Sequence, residues 1–426
     1  MKKKYFLLLV IISYIGSLVA KPHPLVESFL PKTLSTSSFL ATPFKSGTWR
    51  AMVQSPGGVL PFGLEVKVID AHSFSVYILN GKERLKMDDA VLKGDSIVMS
   101  MKIFDAVIVA HVSENRLMGY WKRQRTAKSF VQLPFRAEYN YTHRFVLDAP
   151  TAKHNVSGTW ATTFYTDRDT TISVGVFEQT GNRVNGTFLT TTGDYRYLDG
   201  NVVGDTLYLS TFDGTHVYLF KSKIENNRLV GGFYSGATGF EKMIAQKDPN
   251  AALPDLDKLT FLKPGMERIS FQFPNLKGSP VSLDDAKFKG KVVVIQLMGS
   301  WCPNCMDETN FLAPWYVKNK KRGVEIIGLA YEKSNVLTES APKLERMKQR
   351  FGIEYEVLLA GINDKDVASQ SLPMLSKVLA FPTTIIVDKK GKVRQIHTGF
   401  SGPGTGKYYD QYVEDFNRLM DKLLSE

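Results

Sequence analysis

Cysteine is almost absent from this sequence. Of 426 residues only Cys302 and Cys305 carry thiols. No framework of structural disulfides can therefore hold the chain, and its domains must rest on hydrophobic cores. A second cysteine pair is missing and no histidine lies near the first, whereas zinc normally takes four ligands. The seven histidines are scattered without metal-ligand spacing. Apolar runs long enough to cross a bilayer are missing after residue 20. Nucleic-acid motifs are missing too. The formal charge is +12, but the lysines are spread along the chain. The densest basic run, Lys122-Arg-Gln-Arg125 with Lys128, sits in a strand-rich region and reads as a solvated turn or edge. What is plentiful is core material: 43% hydrophobic and 12% aromatic residues exclude global disorder, and the length predicts two or three domains.

Residues 1–20 have a basic start, Lys2-Lys-Lys4, then an apolar core and small residues at Ser17 and Ala20. This is a signal-peptide pattern with cleavage expected after Ala20, although Leu18 departs from the small-residue rule. The alternative is an uncleaved N-terminal anchor close to a membrane, for which the run is short. Residues 21–44 are rich in Pro, Ser and Thr and read as a linker. An exported chain whose only thiols sit three positions apart fits the periplasm or cell envelope of a bacterium.

An internal repeat follows. Ser46-Gly-Thr-Trp49 recurs as Ser157-Gly-Thr-Trp160, and Lys93-Gly-Asp-Ser96 as Val203-Gly-Asp-Thr206. Glu114-Asn-Arg-Leu117 recurs as Asn226-Asn-Arg-Leu229, all in order at an offset of about 110 residues. The sequence thus predicts two duplicated units, 45–140 and 155–247. Short alternating runs between Gly, Asn and Asp turns make each unit an antiparallel β barrel or sandwich. Asn80-Gly81 and Asp213-Gly214 carry hairpin chemistry. The Gly-Thr-Trp opening is similar to the first strand of lipocalin-like barrels, which leaves two readings: a ligand-binding barrel, or tryptophans that plug a core. Residues 248–267, with three prolines, form a second linker.

From 268 to 426 strands and helices alternate. The β-branched run Val292–Leu297 leads into a turn, then Cys302-Pro-Asn-Cys305, and a helix is expected from about Cys302 to Asn319 with a kink at Pro314. Further strands are expected at 324–330, 355–359, 383–388 and 393–397. A short hairpin is expected at 269–283. Helices are expected around Leu344, Met347 and Phe351, over 365–379, and at the C-terminus with eight apolar positions from Tyr409 to Leu424 on one face. The strand-to-helix turn places Cys302 at a helix N-terminus, where unpaired N–H groups and the helix dipole favour a thiolate, the nucleophilic form. Cys305, one turn deeper, can resolve a mixed disulfide. A purely structural bridge is a poor alternative, since so small a loop removes little unfolded-state entropy. The pair needs no cofactor and no metal.

This last segment resembles the TlpA/ResA-like thioredoxin-fold thiol–disulfide oxidoreductases. The resemblance rests on Gly290-Lys-Val-Val-Val294, Trp301-Cys-Pro-Asn-Cys305, Glu308, Gly323–Gly328, Phe381-Pro-Thr-Thr-Ile-Ile-Val-Asp388 and Gly391-Lys-Val393. It implies an α/β thioredoxin-like domain with catalytic Cys302 and Cys305. It also implies a cis proline at Pro382 and a substrate groove formed with Trp301 and Phe381, whose exposed backbone would pair with an extended peptide. Glu308 matches the family's glutamate three residues after the second cysteine. On the helical face of Cys305 it would pass protons to or from that thiol; an ordinary exposed glutamate is the alternative. Asp307 is expected to be solvated. Leu297-Met-Gly-Ser300 and Asn304 depart from the family pattern. A peroxiredoxin is disfavoured because the Thr-x-x-Cys pattern is missing. The resemblance implies disulfide-containing envelope proteins as substrates, including those of cytochrome c maturation, and a membrane or periplasmic electron donor. The alternative is an envelope ligand- or protein-binding β-domain protein with an accessory redox domain.

Overall fold

The computed structural model describes residues 44–125, 129–148 and 150–426. The signal-peptide expectation, the first-linker expectation up to residue 43, and Lys128 lie outside these residues; Phe44, the last of the expected linker, is buried beside Trp49. Alternating burial turns the first half of the chain into two antiparallel sheets of nine strands. Strand Phe74–Asn80, for example, buries every second residue. Both sheets share one pairing order. The first strand, Gly47–Ser55 or Gly158–Tyr165, lies between its successor and the last strand, Phe130–Tyr139 or Gly239–Lys247, and the others follow as a meander. The second sheet closes into a barrel where Arg183–Thr190 pairs with both Thr170–Thr180 and Leu198–Val203. In the first sheet no ladder joins the two flanks among the described residues; the Ser73–Val91 bridge and the Leu92 N–H donating to the His72 carbonyl at 2.8 Å connect them. The recurring sequence motifs are largely turn chemistry. Gly94 and Gly204 sit at φ near +60°, and the Glu114 and Asn226-Asn227 turns also take positive φ.

Trp49 and Trp160 are buried, and each ring N–H donates to the carbonyl four residues earlier, at 3.0 Å (Lys45) and 2.8 Å (Val156). They plug cores. The second barrel is filled by Phe164, Phe188, Phe220 and Phe233, with Phe220 stacked on Phe233 at 4.5 Å. Between the barrels Phe62 stacks on Phe212 at 4.2 Å. There Arg144 donates to Ser210 Oγ (2.9 Å), Ser210 O (2.8 Å) and Asn80 Oδ1 (3.1 Å). Within the basic run, the expected solvated edge is corrected for Arg123, whose guanidinium reaches the Thr215 carbonyl at 3.0 Å across this interface.

The C-terminal domain is a five-stranded sheet in the order Glu356–Ile362, Val324–Glu332, Val292–Met298, Thr383–Val387, Val393–Thr398. The first three strands are parallel and the last two antiparallel. This is the thioredoxin-like arrangement implied by the sequence. Helix Pro303–Asn319 continues through Pro314, and helix Leu337–Phe351 forms as expected. The hairpin is shorter than expected, Gln272–Pro274 with Pro280–Ser282. The helix expected over 365–379 ends at Ser371. Pro373 disfavours helical backbone at Leu372, and Leu375 instead bridges to Leu262. The terminal helix Lys407–Ser425 fully buries only Phe416, Met420 and Leu423. Residues 248–267 do not hang free: Thr260 is buried, and Val393 N donates to Glu267 O. The first barrel shares one hydrophobic cluster with this domain. Asp105 accepts from Lys333 (2.9 Å) and Lys343 (2.8 Å), and Arg350 donates to Asp88 at 2.6 Å. Among the described residues, no helix is long and apolar enough to cross a membrane.

Candidate active site

The central strand Val292–Met298 is buried throughout, and the chain leaves it through Gly299-Ser300-Trp301 at the C-terminal edge of the sheet. Cys302 then takes an extended conformation as N-cap of helix Pro303–Asn319, with Pro303 at the first helical position, where a missing N–H costs nothing. Cys302 and Cys305 are disulfide-bonded, their Cα atoms 5.3 Å apart. The Cys305 N–H donates to Cys302 Sγ at 3.2 Å, so the helix N-terminus already solvates the sulfur that would carry negative charge. Cys302 is 4% exposed and Cys305 fully buried. The Phe381–Pro382 peptide is cis, and the Phe381 carbonyl oxygen lies 3.5 Å from Cys302 Sγ. Trp301 donates to the Tyr331 carbonyl at 2.7 Å and meets Phe381 edge-on at 5.8 Å.

Glu308 is fully buried on the same helix. Its carboxylate accepts from Gln296 Nε2 (2.8 Å), Thr384 Oγ1 (2.5 Å) and Tyr412 OH (3.2 Å). Gln296 Nε2 also lies 3.4 Å from the Cys305 carbonyl, which ties the glutamate to the second cysteine's turn. Burial pushes the Glu308 carboxyl up, and these hydrogen bonds with nearby His397 pull back only in part.

Asp307 is not solvated. It pairs with Arg196 of the second barrel at 2.5 Å and is pushed up to about 7, by burial first and then by Asp194 and Glu83, against the pull of Arg196. Arg196 is buried and also holds Glu83 (2.6 Å), Asp213 (3.4 Å) and the Pro303 carbonyl (3.3 Å). Its neighbours on the same loop reinforce the contact. Asn304 donates to the Asp194 carbonyl at 3.2 Å, and Gly402 N to Asp194 Oδ2 at 2.6 Å. Gly399, whose N–H bonds the Pro382 carbonyl, is packed against Thr191–Gly193. The exposed backbone expected beside Pro382 is therefore corrected: Phe381 is 8% exposed and Pro382 buried, with the 191–196 loop along the flank.

The AhpC/TSA family profile matches residues 264–396. The thiol-disulfide oxidoreductase ResA of Geobacillus kaustophilus is 34% identical over 131 residues, 30% of this chain and 66% of that protein. Just under two thirds of its length has a counterpart here. ResA of Halalkalibacterium halodurans is 26% identical over 157 residues, 37% of this chain and 76% of that one. The C-terminal domain is similar to the ResA thiol–disulfide oxidoreductases. A crystal structure of a thiol:disulfide interchange protein of the thioredoxin family from Chlorobium tepidum TLS aligns at TM-score 0.29 and 21% identity, covering 37% of this chain and 96% of its own.

The ResA-like domain brings Trp301, Cys302, Cys305, Glu308, Phe381 and Pro382 together around one disulfide. Three partners escaped sequence reasoning. Gln296 is the lone polar residue in the run Val292–Met298, a signal that was available. Glu332 ends the next strand and takes both Ser300 N–H (2.7 Å) and Ser300 O–H (2.8 Å), fixing the turn before the cysteines. Arg196 lies 111 positions from Asp307, and nothing local marks it. Among the described residues no cluster of metal-ligating side chains occurs.

Proposed function

We propose that the protein is an exported thiol–disulfide oxidoreductase that reduces or exchanges disulfides in envelope proteins. The observation that carries this is the Cys302–Cys305 disulfide at a helix N-terminus, beside a cis proline and above a buried glutamate. In the reduced enzyme the Cys302 thiolate attacks a client disulfide. One client sulfur leaves as a thiolate and takes a proton. Cys305 then gives its proton to Glu308 and attacks Cys302. The second client sulfur leaves with the electron pair, and the enzyme disulfide forms. A dithiol donor at the membrane or in the periplasm returns two electrons and two protons. The basic-then-apolar stretch at residues 2–20 supports export, and the resemblance to TlpA/ResA-like oxidoreductases carried by Trp301-Cys-Pro-Asn-Cys305 and Phe381-Pro-Thr-Thr384 implies a place among envelope redox proteins such as those of cytochrome c maturation. The shared pairing order and recurring turns support an origin of the two β units by duplication.

The test is thiol counting with insulin reduction on the whole protein. Reductant should release two labelled thiols, and a Cys302→Ser variant should lose turnover or hold clients through Cys305. No change in thiol count would end this reading. The binding-protein alternative predicts an unaltered phenotype for Cys302→Ser; the filled interior of the second barrel does not favour it.

A further inference from the structure

Glu308 is sealed from solvent, so a proton it receives from Cys305 needs a route out. We propose that Tyr412 and His397, held by Asp257, carry that proton to the surface; this rests on the oxidoreductase reading above. Thr384 and Tyr412, the two hydroxyls that touch Glu308 Oε1, also line a cavity of about 220 Å3. His397 lines the same cavity. It is the cross-strand partner of Thr384, so both side chains share one face of the sheet, and its ring lies 5.0 Å from that of Tyr412. Asp257 comes from the segment preceding the domain. Its Oδ1 sits 2.6 Å from His397 Nδ1, and its Oδ2 is fixed by Gln395 Nε2 at 2.5 Å. A carboxylate on Nδ1 selects the tautomer that leaves the Nε2 lone pair free. His397 is 18% exposed, a position between cavity and solvent.

The step balances. As the Cys305 sulfur bonds to Cys302, the Cys302–client bond breaks and the client thiolate leaves with the electron pair. The Cys305 proton rests on Glu308. It then passes to a hydroxyl of Tyr412 or Thr384 while that hydroxyl releases its own proton to water in the cavity. His397 Nε2 accepts from the water and hands the proton to solvent. The groups facing His397 are Asp255 and Asp257 from the preceding segment, Tyr408, Tyr412 and Asp415 from the terminal helix, and Glu308 from the redox helix.

Single-turnover reduction of insulin by the pre-reduced full chain, followed from pH 5 to 9, tests this. Tyr412→Phe and His397→Gln should each slow the resolving step about tenfold, a modest share of what general acid–base groups contribute. Alkylation of Cys302 by iodoacetamide should keep its wild-type rate. The His397→Gln pH profile should flatten, and added imidazole should restore the rate through the cavity. A folded His397→Gln protein whose profile overlays the wild type, or which imidazole does not rescue, overturns the relay. Should that variant fail to fold, Asp257→Asn must shift the profile, or the relay falls. A wild-type protein that reduces no insulin removes the oxidoreductase reading and the relay with it, an outcome distinct from failure in the variants alone.

Discussion

Asp307 and Glu308 are neighbours in sequence, and the helix turns them into different environments. Glu308 faces the sheet and neutral hydrogen-bond donors; Asp307 faces a guanidinium. Burial raises both, and Asp307 is pushed up to about 7. Its unfolded value is about 3.9. Between about pH 4 and 7 the folded state therefore holds a proton that the unfolded state has released. The resulting contribution to stability is whole below about pH 4 and is lost as pH rises through 7. Asp307→Asn keeps a side chain for Arg196 to donate to and removes the titration. Its urea midpoint should be flatter than that of the wild type between pH 4 and 7, and equal slopes would refute the assignment. The two roles were unequally legible. The spacing from Cys305 marks Glu308 as sharing a helical face with it, whereas the solvation expected of Asp307 assumed that nothing packs on the helix's other side.

At the scale of elements, periodicity carried most of the fold. The buried strand Val292–Met298, the helix after the cysteines and the alternating barrel strands all follow from apolar spacing, because each buries one face within its own neighbourhood. Boundaries set by tertiary contact were harder: the helix at 365 stops before Pro373, and the supposed linker at 248–267 adds a bridge and the Asp257–His397 pair. The loop 191–196 was invisible, being polar and without period. Gly193 there has φ +138°, and a Cβ would come 2.0 Å from Asn304 Nδ2. Only glycine lets this loop lie on the Cys302-Pro-Asn-Cys305 turn. Gly193→Ala should push it away and expose the disulfide. Stopped-flow reduction by dithiothreitol should then be several-fold faster than in the wild type, about the range set by access to the attacked sulfur. An unchanged rate would mean that the loop does not limit access.

On the scale of the whole molecule, the described residues form one compact unit built from unlike joints. The first barrel shares its hydrophobic cluster with the ResA-like domain, while most of the second barrel's core is separate. Its hold on the redox helix is polar, and Arg196 is the centre: one cation between Asp307, Glu83 and Asp213, each from a different part of the molecule. No periodicity or motif could reveal this, since the partners lie more than 100 residues apart in the chain for Glu83 and Asp307. Removing a buried cation leaves its carboxylates uncompensated, at a cost of about 3–5 kcal/mol, although whole buried clusters are often dispensable when replaced together. Arg196→Met keeps the length of the side chain and deletes the charge. It should lower the urea midpoint and release the second barrel first. Amide hydrogen exchange should then rise in the 191–197 loop and in strand Gly158–Tyr165, while strand Val292–Met298 keeps its protection because its cluster includes the first barrel. A combined Arg196→Met, Asp307→Leu variant, which removes cation and partner together, should recover part of the loss. Uniform loss of protection across both barrels and the sheet, with no recovery in the double variant, would show that the joint is held by apolar contact instead.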